Sequence, residues 1–70
     1  MRVLVTGAGG LIGRQLLLRL KSLGYAVVGV ARGAPPETDL IECDLASPGD
    51  IERALSLASP DLIILSPAVY

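Results

Sequence analysis

The chain has 70 residues, of which 51% are hydrophobic and two are aromatic, and its formal net charge is −1. A chain of this length forms at most one small domain, and its near-neutral charge argues against nucleic-acid binding, which needs a basic surface. Since it has no histidine and one cysteine, Cys43, we expect neither a metal site nor an internal disulfide.

Two features predict the cellular compartment. The apolar stretch that begins at Leu11 is interrupted by Arg14 and Arg19, so it cannot span a bilayer, and no signal-peptide pattern precedes the first glycines. Cys43 stands among strand-forming residues and is typical of a buried thiol in a reducing compartment. We therefore expect a cytoplasmic protein without a membrane partner.

The charges are unevenly divided between the two halves of the chain. Residues 1–34 hold five of the six basic residues and no acid, whereas residues 35–70 hold all seven acids. One interpretation is that these charges cover the solvated faces of two helices and a loop. The other is that the basic half faces an anion.

The N-terminal part predicts a strand, a helix and a second strand. Residues 2–6 (RVLVT) and 25–31 (YAVVGVA) are short apolar runs typical of buried strands. Between them, apolar residues recur with the helical period over residues 11–23. Gly24 follows this pattern directly, where helices commonly end in a left-handed residue.

The C-terminal part predicts three further elements: a brief strand at 39–43, a helix at 48–58 and a strand at 62–65. Ser47 is expected to be the N-cap of the helix, with Pro48 at its first position and Asp50 near the positive end of its dipole. A glycine and two adjacent prolines predict a loop over residues 32–38.

This alternation of strands and helices indicates a parallel sheet, because each crossover returns the chain to the same end of the sheet. The link between the second and third strands is shorter than the dozen or so residues that a parallel crossover usually needs. We therefore expect the third strand to be very short or poorly paired.

The stretch VTGAGGLIG, residues 5–13, places glycines between the first strand and the first helix. Gly7 would permit the turn, Gly9 or Gly10 would let the backbone approach a pyrophosphate, and Gly13 would let the helix lie close to the sheet. The N–H groups near Leu11 and Ile12 would then meet the phosphates. The alternative is a tight turn that binds no ligand. No Gly-Lys-Ser/Thr follows, which excludes a nucleoside-triphosphate loop.

In combination, TGAGGLIG, GYAVVGVAR, CDL and PDLIILSPA resemble the extended short-chain dehydrogenase/reductase family of sugar-nucleotide epimerases, dehydratases and reductases. The resemblance implies that Asp44 and Leu45 contact the adenine ring. It also implies that Ser66 and Ala68 lie beside the ribose and nicotinamide, although Pro67 there departs from the family pattern and removes a backbone donor. The implied substrate of the full-length enzyme is a nucleotide-sugar or a similar small molecule.

The fold that follows is α/β: residues 1–70 would be the N-terminal part of an NAD(P)-binding Rossmann domain. We predict a partial parallel sheet of about four strands in the order 3-2-1-4, with the two main helices on opposite faces. The first and fourth strands would be adjacent and central.

The residue after the second strand bears on the nucleotide. An NAD-preferring site places an acid about 20 residues after the glycines, to bind the ribose 2′-hydroxyl. This chain has Arg32 there and no acid before Glu37. A guanidinium can bind a 2′-phosphate, so NADP is favoured, with NAD as the alternative. Arg32 could equally be a solvated residue at the start of a loop.

The family's catalytic Tyr-x-x-x-Lys pair has no counterpart here, because Tyr70 is the last residue and the single lysine, Lys21, lies in the first helix. We therefore assign no catalytic residue. Three hypotheses remain: a cofactor-binding segment of an NADP-dependent oxidoreductase, a nonenzymatic redox-sensing module, and a truncated remnant that binds nothing. An unpaired strand edge would also favour self-association.

Overall fold

A computed structural model describes residues 1–33 and 40–65 of the chain. Within these residues the elements, in chain order, are β1 (Arg2–Val5), α1 (Leu11–Ser22), β2 (Ala26–Ala31), β3 (Ile41–Glu42), α2 (Pro48–Ala58) and β4 (Leu62–Ile64). The strands form one parallel sheet in the order β3-β2-β1-β4. The predicted fold class and strand order are thus confirmed. β1 and β4 are adjacent as expected, but β4 is an edge strand of the described sheet rather than a central one.

The centre of the sheet is β1, whose side chains alternate between two apolar clusters. Val3 and Val5 pack with Leu17 of α1, whereas Leu4 packs with Ala54 and other residues of α2. Successive residues of a strand point to opposite faces, so the two helices cover opposite faces of the sheet, as predicted. Because both faces are covered, β1 is a continuous apolar run rather than an alternating one.

Both helices end and begin near the predicted residues. Leu23 is the C-cap of α1, and Gly24 follows with φ +91°, the left-handed conformation expected there. Ser47 is the N-cap of α2 and Pro48 its first helical residue, although the Ser47 hydroxyl makes no capping hydrogen bond. At the other end of α2, the C-cap Ser59 is also left-handed, with φ +43°.

The third strand is as short as the sequence predicted, with two residues. It pairs Ile41 with Val30 and Glu42 with Ala31, so β3 begins beside the end of β2. The chain between the two strands therefore does not have to return along the whole length of β2. This register allows a parallel pairing through a connection as short as residues 32–40.

Candidate functional site

The carboxyl ends of all four strands meet at one edge of the sheet, because every pairing is parallel. The chain leaves β1 toward β2 on one side, and β4 lies on the other side. In open α/β sheets, ligands bind outside the carboxyl ends of the strands at such a reversal of strand order. The segments that follow the strands at this edge are residues 6–10, 32–33, 43–47 and 65.

The segment after β1 is a tight turn held against β2. Gly7 has φ +64°, and its carbonyl accepts a hydrogen bond from the N–H of Gly10 at 3.0 Å. The N–H of Ala8 donates to the carbonyl of Val30 in β2 at 3.1 Å. The glycine turn is therefore fixed on the sheet by its own backbone, without help from a ligand.

Two further glycines set how closely this turn approaches β2. A Cβ on Gly29 would lie 2.7 Å from Leu40 Cδ2 and 2.8 Å from the Ala8 methyl group, too close for any side chain. A Cβ on Gly9 would lie 3.3 Å from the Ala31 Cβ. Gly29 was not among the predicted site residues, although a glycine inside a strand indicates close backbone approach.

The start of α1 carries backbone donors that the described part of the protein does not use. Gly10 is the N-cap, and the first helical hydrogen bond runs from the N–H of Arg14 to its carbonyl at 2.9 Å. The N–H groups of Leu11, Ile12 and Gly13 precede that bond and have no partner within the helix. No side chain caps this end, and the first turn holds no acid. Gly13 is buried, as expected for close packing on the sheet.

The segment after β2 combines a cation with an unexpected carboxylate. Arg32 is exposed, and within residues 1–33 and 40–65 no hydrogen bond or ion pair engages its guanidinium. The neighbouring N–H of Gly33 donates to both carboxylate oxygens of Glu42, at 3.0 and 2.7 Å. The sequence did not indicate Glu42, because its proximity to Gly33 depends on the register between β2 and β3.

The segment after β3 is ordered by the first turn of α2. The N–H of Asp44 donates to Asp50 Oδ2 at 3.0 Å, and Asp44 Oδ1 accepts from the N–H of Ala46 at 2.9 Å. Leu45 is 52% exposed at the same edge. A half-buried carboxylate beside an exposed leucine can offer an acceptor and an apolar surface to a flat heterocycle.

Cys43 precedes this turn and serves the core rather than the edge. Its side chain is 3% exposed and packs with Leu4 and Ala54. Burial, and then the nearby Asp50 carboxylate, raise the pKa of the thiol from its ordinary value. The thiol is therefore kept protonated, which agrees with the predicted buried structural role.

Several predicted features fall outside this geometry. Ser66 and Ala68, predicted beside the nicotinamide, lie outside the described residues, as does Tyr70. Among residues 1–33 and 40–65 there is no cluster of three or more metal-ligating side chains. In the same part of the chain, neither helix has the length and apolar character that a membrane span requires.

Comparison with known proteins finds relatives that are much longer than this chain. L-xylulose reductases from Mus musculus and Cavia porcellus are each 44% identical to this chain over 78 aligned positions, covering 97% of the chain and 32% of the reductase. An uncharacterized protein from Mycobacterium tuberculosis is 42% identical over 60 positions, covering 80% of this chain and 7% of that protein. The chain thus spans a third or less of the length of these relatives.

Residues 3–69 match the model of the NAD-dependent epimerase/dehydratase family. This match covers nearly the whole chain, including the glycine turn and the segment after β3, and it confirms the resemblance drawn from the sequence. The family implies a nicotinamide dinucleotide cofactor, and the backbone donors beneath the glycine turn fit its pyrophosphate. The chain belongs to the NAD-dependent epimerase/dehydratase family.

Proposed function

We propose that this chain binds the pyrophosphate and adenosine parts of a nicotinamide dinucleotide, with NADP preferred over NAD. The observation that carries the proposal is the start of α1, where three backbone N–H groups have neither a capping side chain nor an acidic neighbour. Anions bind at such helix ends because the donors and the dipole act together. Gly7 and Gly10 would admit the pyrophosphate to Leu11, Ile12 and Gly13.

The adenosine would lie along the ends of β2 and β3. Asp44 would accept a hydrogen bond from the adenine ring, and Leu45, with its exposed side chain, would pack on the ring face. In this proposal Ser66 and Ala68 line the ribose and nicotinamide side of the site.

The preference for NADP rests on Arg32. Its exposed guanidinium stands one residue beyond β2, at the edge where the glycine turn approaches Ala31. A guanidinium binds a phosphate through charge-assisted hydrogen bonds and gains less from a ribose hydroxyl.

For the longer proteins in which such a segment occurs, we propose an oxidoreductase or epimerase activity on a nucleotide-sugar or a similar small substrate. The family membership supports a hydride-transfer chemistry at the nicotinamide. The catalytic acid/base would come from residues that this chain does not contain.

The experiment compares two glycine variants, Gly10→Val and Gly49→Val, by calorimetric titration with NADP and with adenosine 2′,5′-bisphosphate. Gly10 has φ −81° and ψ 172°, an extended conformation that valine adopts readily, so its variant should keep the backbone in place. Gly49 lies in the first turn of α2, and a Cβ there meets nothing within 4 Å.

We expect Gly10→Val to lose NADP binding, because its side chain would block the approach of the pyrophosphate, and Gly49→Val to bind as the parent does. Thermal unfolding by circular dichroism checks that both variants fold. Equal NADP affinity in a folded Gly10→Val variant would mean that the glycines form a turn and nothing more.

We further propose weak self-association through β4. In the described part of the chain this strand pairs with β1 alone, and Leu62 and Ile63 are 45% and 46% exposed. An apolar strand edge invites pairing with a second chain. Sedimentation should show association that rises with concentration and weakens in Ile63→Lys; a stable monomer at high concentration would contradict it.

A further inference from the structure

The contact between Glu42 and Gly33 has no role in the dinucleotide binding proposed above. Both carboxylate oxygens of Glu42 accept from one backbone N–H, that of Gly33, at 3.0 and 2.7 Å. This contact is exposed and joins two residues nine positions apart in sequence. It places the negative charge of Glu42 next to Gly33, the residue that follows Arg32.

The side chain of Glu42 lies on the same face of the sheet as the glycine turn. Cys43 and Ile41 pack toward α2, so the residue between them points to the opposite face. Glu42 pairs with Ala31, and Ala31 is also the residue that Gly9 approaches most closely. On this face, Glu42 is therefore next to Ala31, and Ala31 is next to the glycine turn.

An anion that arrived beside Arg32 would have two binding groups within reach, the guanidinium and the neighbouring N–H of Gly33. Charge-assisted hydrogen bonds of this kind are the strong ones in protein sites. The Glu42 carboxylate already accepts from that N–H, so a second anion at the same place would be repelled by it. The Glu42 carboxylate thus occupies the place in which a phosphate could bind both Arg32 and Gly33.

We propose that Glu42 is a specificity-determining residue that opposes Arg32 in the choice between NADP and NAD. A 2′-phosphate must displace the carboxylate from Gly33 or tolerate its repulsion, whereas a 2′-hydroxyl need do neither. Glu42 therefore lowers the affinity for NADP selectively, and the preference of the chain is the balance of the two side chains. The inference rests on the proposed dinucleotide binding.

The test measures dissociation constants for NADP and NAD in the parent chain and in Glu42→Gln, with Glu52→Gln as the matched control. Glu52 is an exposed residue of α2, so its variant removes the same charge at a position away from Gly33. We expect Glu42→Gln to raise the affinity ratio of NADP over NAD by about tenfold, the low end for a charge-assisted contact near the surface. The control should leave the ratio almost unchanged.

The outcomes separate the inference from the function on which it rests. A parent chain that binds neither dinucleotide overturns the proposed function and the role of Glu42 with it. If both dinucleotides bind and the ratio in Glu42→Gln equals that in Glu52→Gln, the inference alone is overturned. A lower ratio in Glu42→Gln would mean that the carboxylate supports Arg32 instead of opposing it, which also overturns it.

A second measurement needs no substitution and so does not depend on a variant that folds. In the parent chain, NADP should shift the ¹⁵N–¹H resonance of Gly33 as the carboxylate leaves it, whereas NAD should leave that resonance almost in place. Both dinucleotides should shift the amides of Leu11 and Ile12, which reports binding itself. Equal shifts of Gly33 with the two dinucleotides would contradict the proposal.

Discussion

The two helices begin at the same edge of the sheet, yet their first turns differ in what they do with the positive end of the dipole. α1 begins at Gly10, which has no side chain, and its first turn contains no acid. α2 begins at Ser47, has Pro48 at its first position and carries Asp50 in its first turn.

In α2, residues of the first turn compensate for the unpaired N–H groups and for the positive end of the dipole. Proline has no N–H, so one unpaired donor is absent, and the Asp50 carboxylate places a negative charge near the dipole. In α1, no residue of the first turn compensates for them, and a group from outside the helix would have to do so. The fold supplies two equivalent helix ends, and the side chains decide which one is open to an anion.

The largest effect is expected from placing an acid in the first turn of α1, as α2 has in its own first turn. Leu11 is 68% exposed, so Leu11→Asp removes little packing and should stabilise the helix by about 0.3–1 kcal/mol through the dipole. The new carboxylate would compete with the pyrophosphate, and we expect NADP affinity to fall by about a hundredfold. Titration calorimetry and thermal unfolding should therefore move in opposite directions.

The control for this variant is Leu18→Asp, in which an equally acidic residue replaces a leucine that is 57% exposed on the same helix. It should bind NADP as the parent does, apart from a small general effect of charge. Unchanged NADP affinity in Leu11→Asp would show that the start of α1 is not the pyrophosphate site.

A smaller effect is expected at Arg32, which adds a side-chain cation to the backbone donors of α1. Arg32→Asp should shift the preference from NADP toward NAD by about tenfold, because the carboxylate repels a phosphate and accepts from the ribose hydroxyl. Added salt should weaken NADP binding more than NAD binding in the parent. Arg19→Asp, an exposed position on α1, is the charge-matched control, and an unaltered ratio in Arg32→Asp would remove the basis for preferring NADP.

The parts of the fold that the sequence predicted well are those set by local signals. Gly24 in its left-handed conformation and Pro48 at the start of α2 act within a few residues of the ends that they define. The parallel sheet followed from the alternation of apolar runs with helical segments, and the strand order was predicted together with the family resemblance. The bounds of the strands were less well predicted, because they depend on pairing; β3 keeps two residues of the predicted five.

The same distinction applies to the site. The glycine turn could be located because its signal is contiguous in sequence. Glu42 could not, because it acquires its role from a neighbour in another segment, the Gly33 N–H. Gly29 carried a signal as a glycine inside a strand, but its contact with the Ala8 methyl group is set by the fold. Contacts of this kind depend on the register between strands, which composition and periodicity do not specify.

A third prediction concerns the start of α2, from which the acid is removed. Asp50→Asn removes the negative charge from the first turn and weakens the contact with the N–H of Asp44. We expect a loss of about 1 kcal/mol in the free energy of unfolding, measured in urea. Glu52→Gln, which removes a charge two residues further along α2, should change stability by less, and an equal loss in both would argue against a specific role for Asp50.

The smallest effect concerns pH and also involves Asp50. Burial first, and the Asp50 carboxylate second, raise the pKa of the Cys43 thiol above its ordinary value. The folded chain therefore holds the thiol proton to higher pH than the unfolded chain does. The stability that this provides is fully present below the unfolded pKa and is lost as pH rises through the folded pKa, with a slope of at most about 1.4 kcal/mol per pH unit.

Urea unfolding of the parent and of Cys43→Ala, between neutral pH and pH above the unfolded thiol pKa, isolates this contribution. The alanine variant should be less stable at neutral pH, because it loses buried contacts with Leu4 and Ala54, but it should decline less steeply as pH rises. In Asp50→Asn the decline should begin at the same pH but end at lower pH and be smaller in total, because one of the causes that raise the folded thiol pKa is gone. Parallel pH profiles for the parent and Cys43→Ala would mean that the Cys43 thiol does not contribute to the alkaline loss of stability.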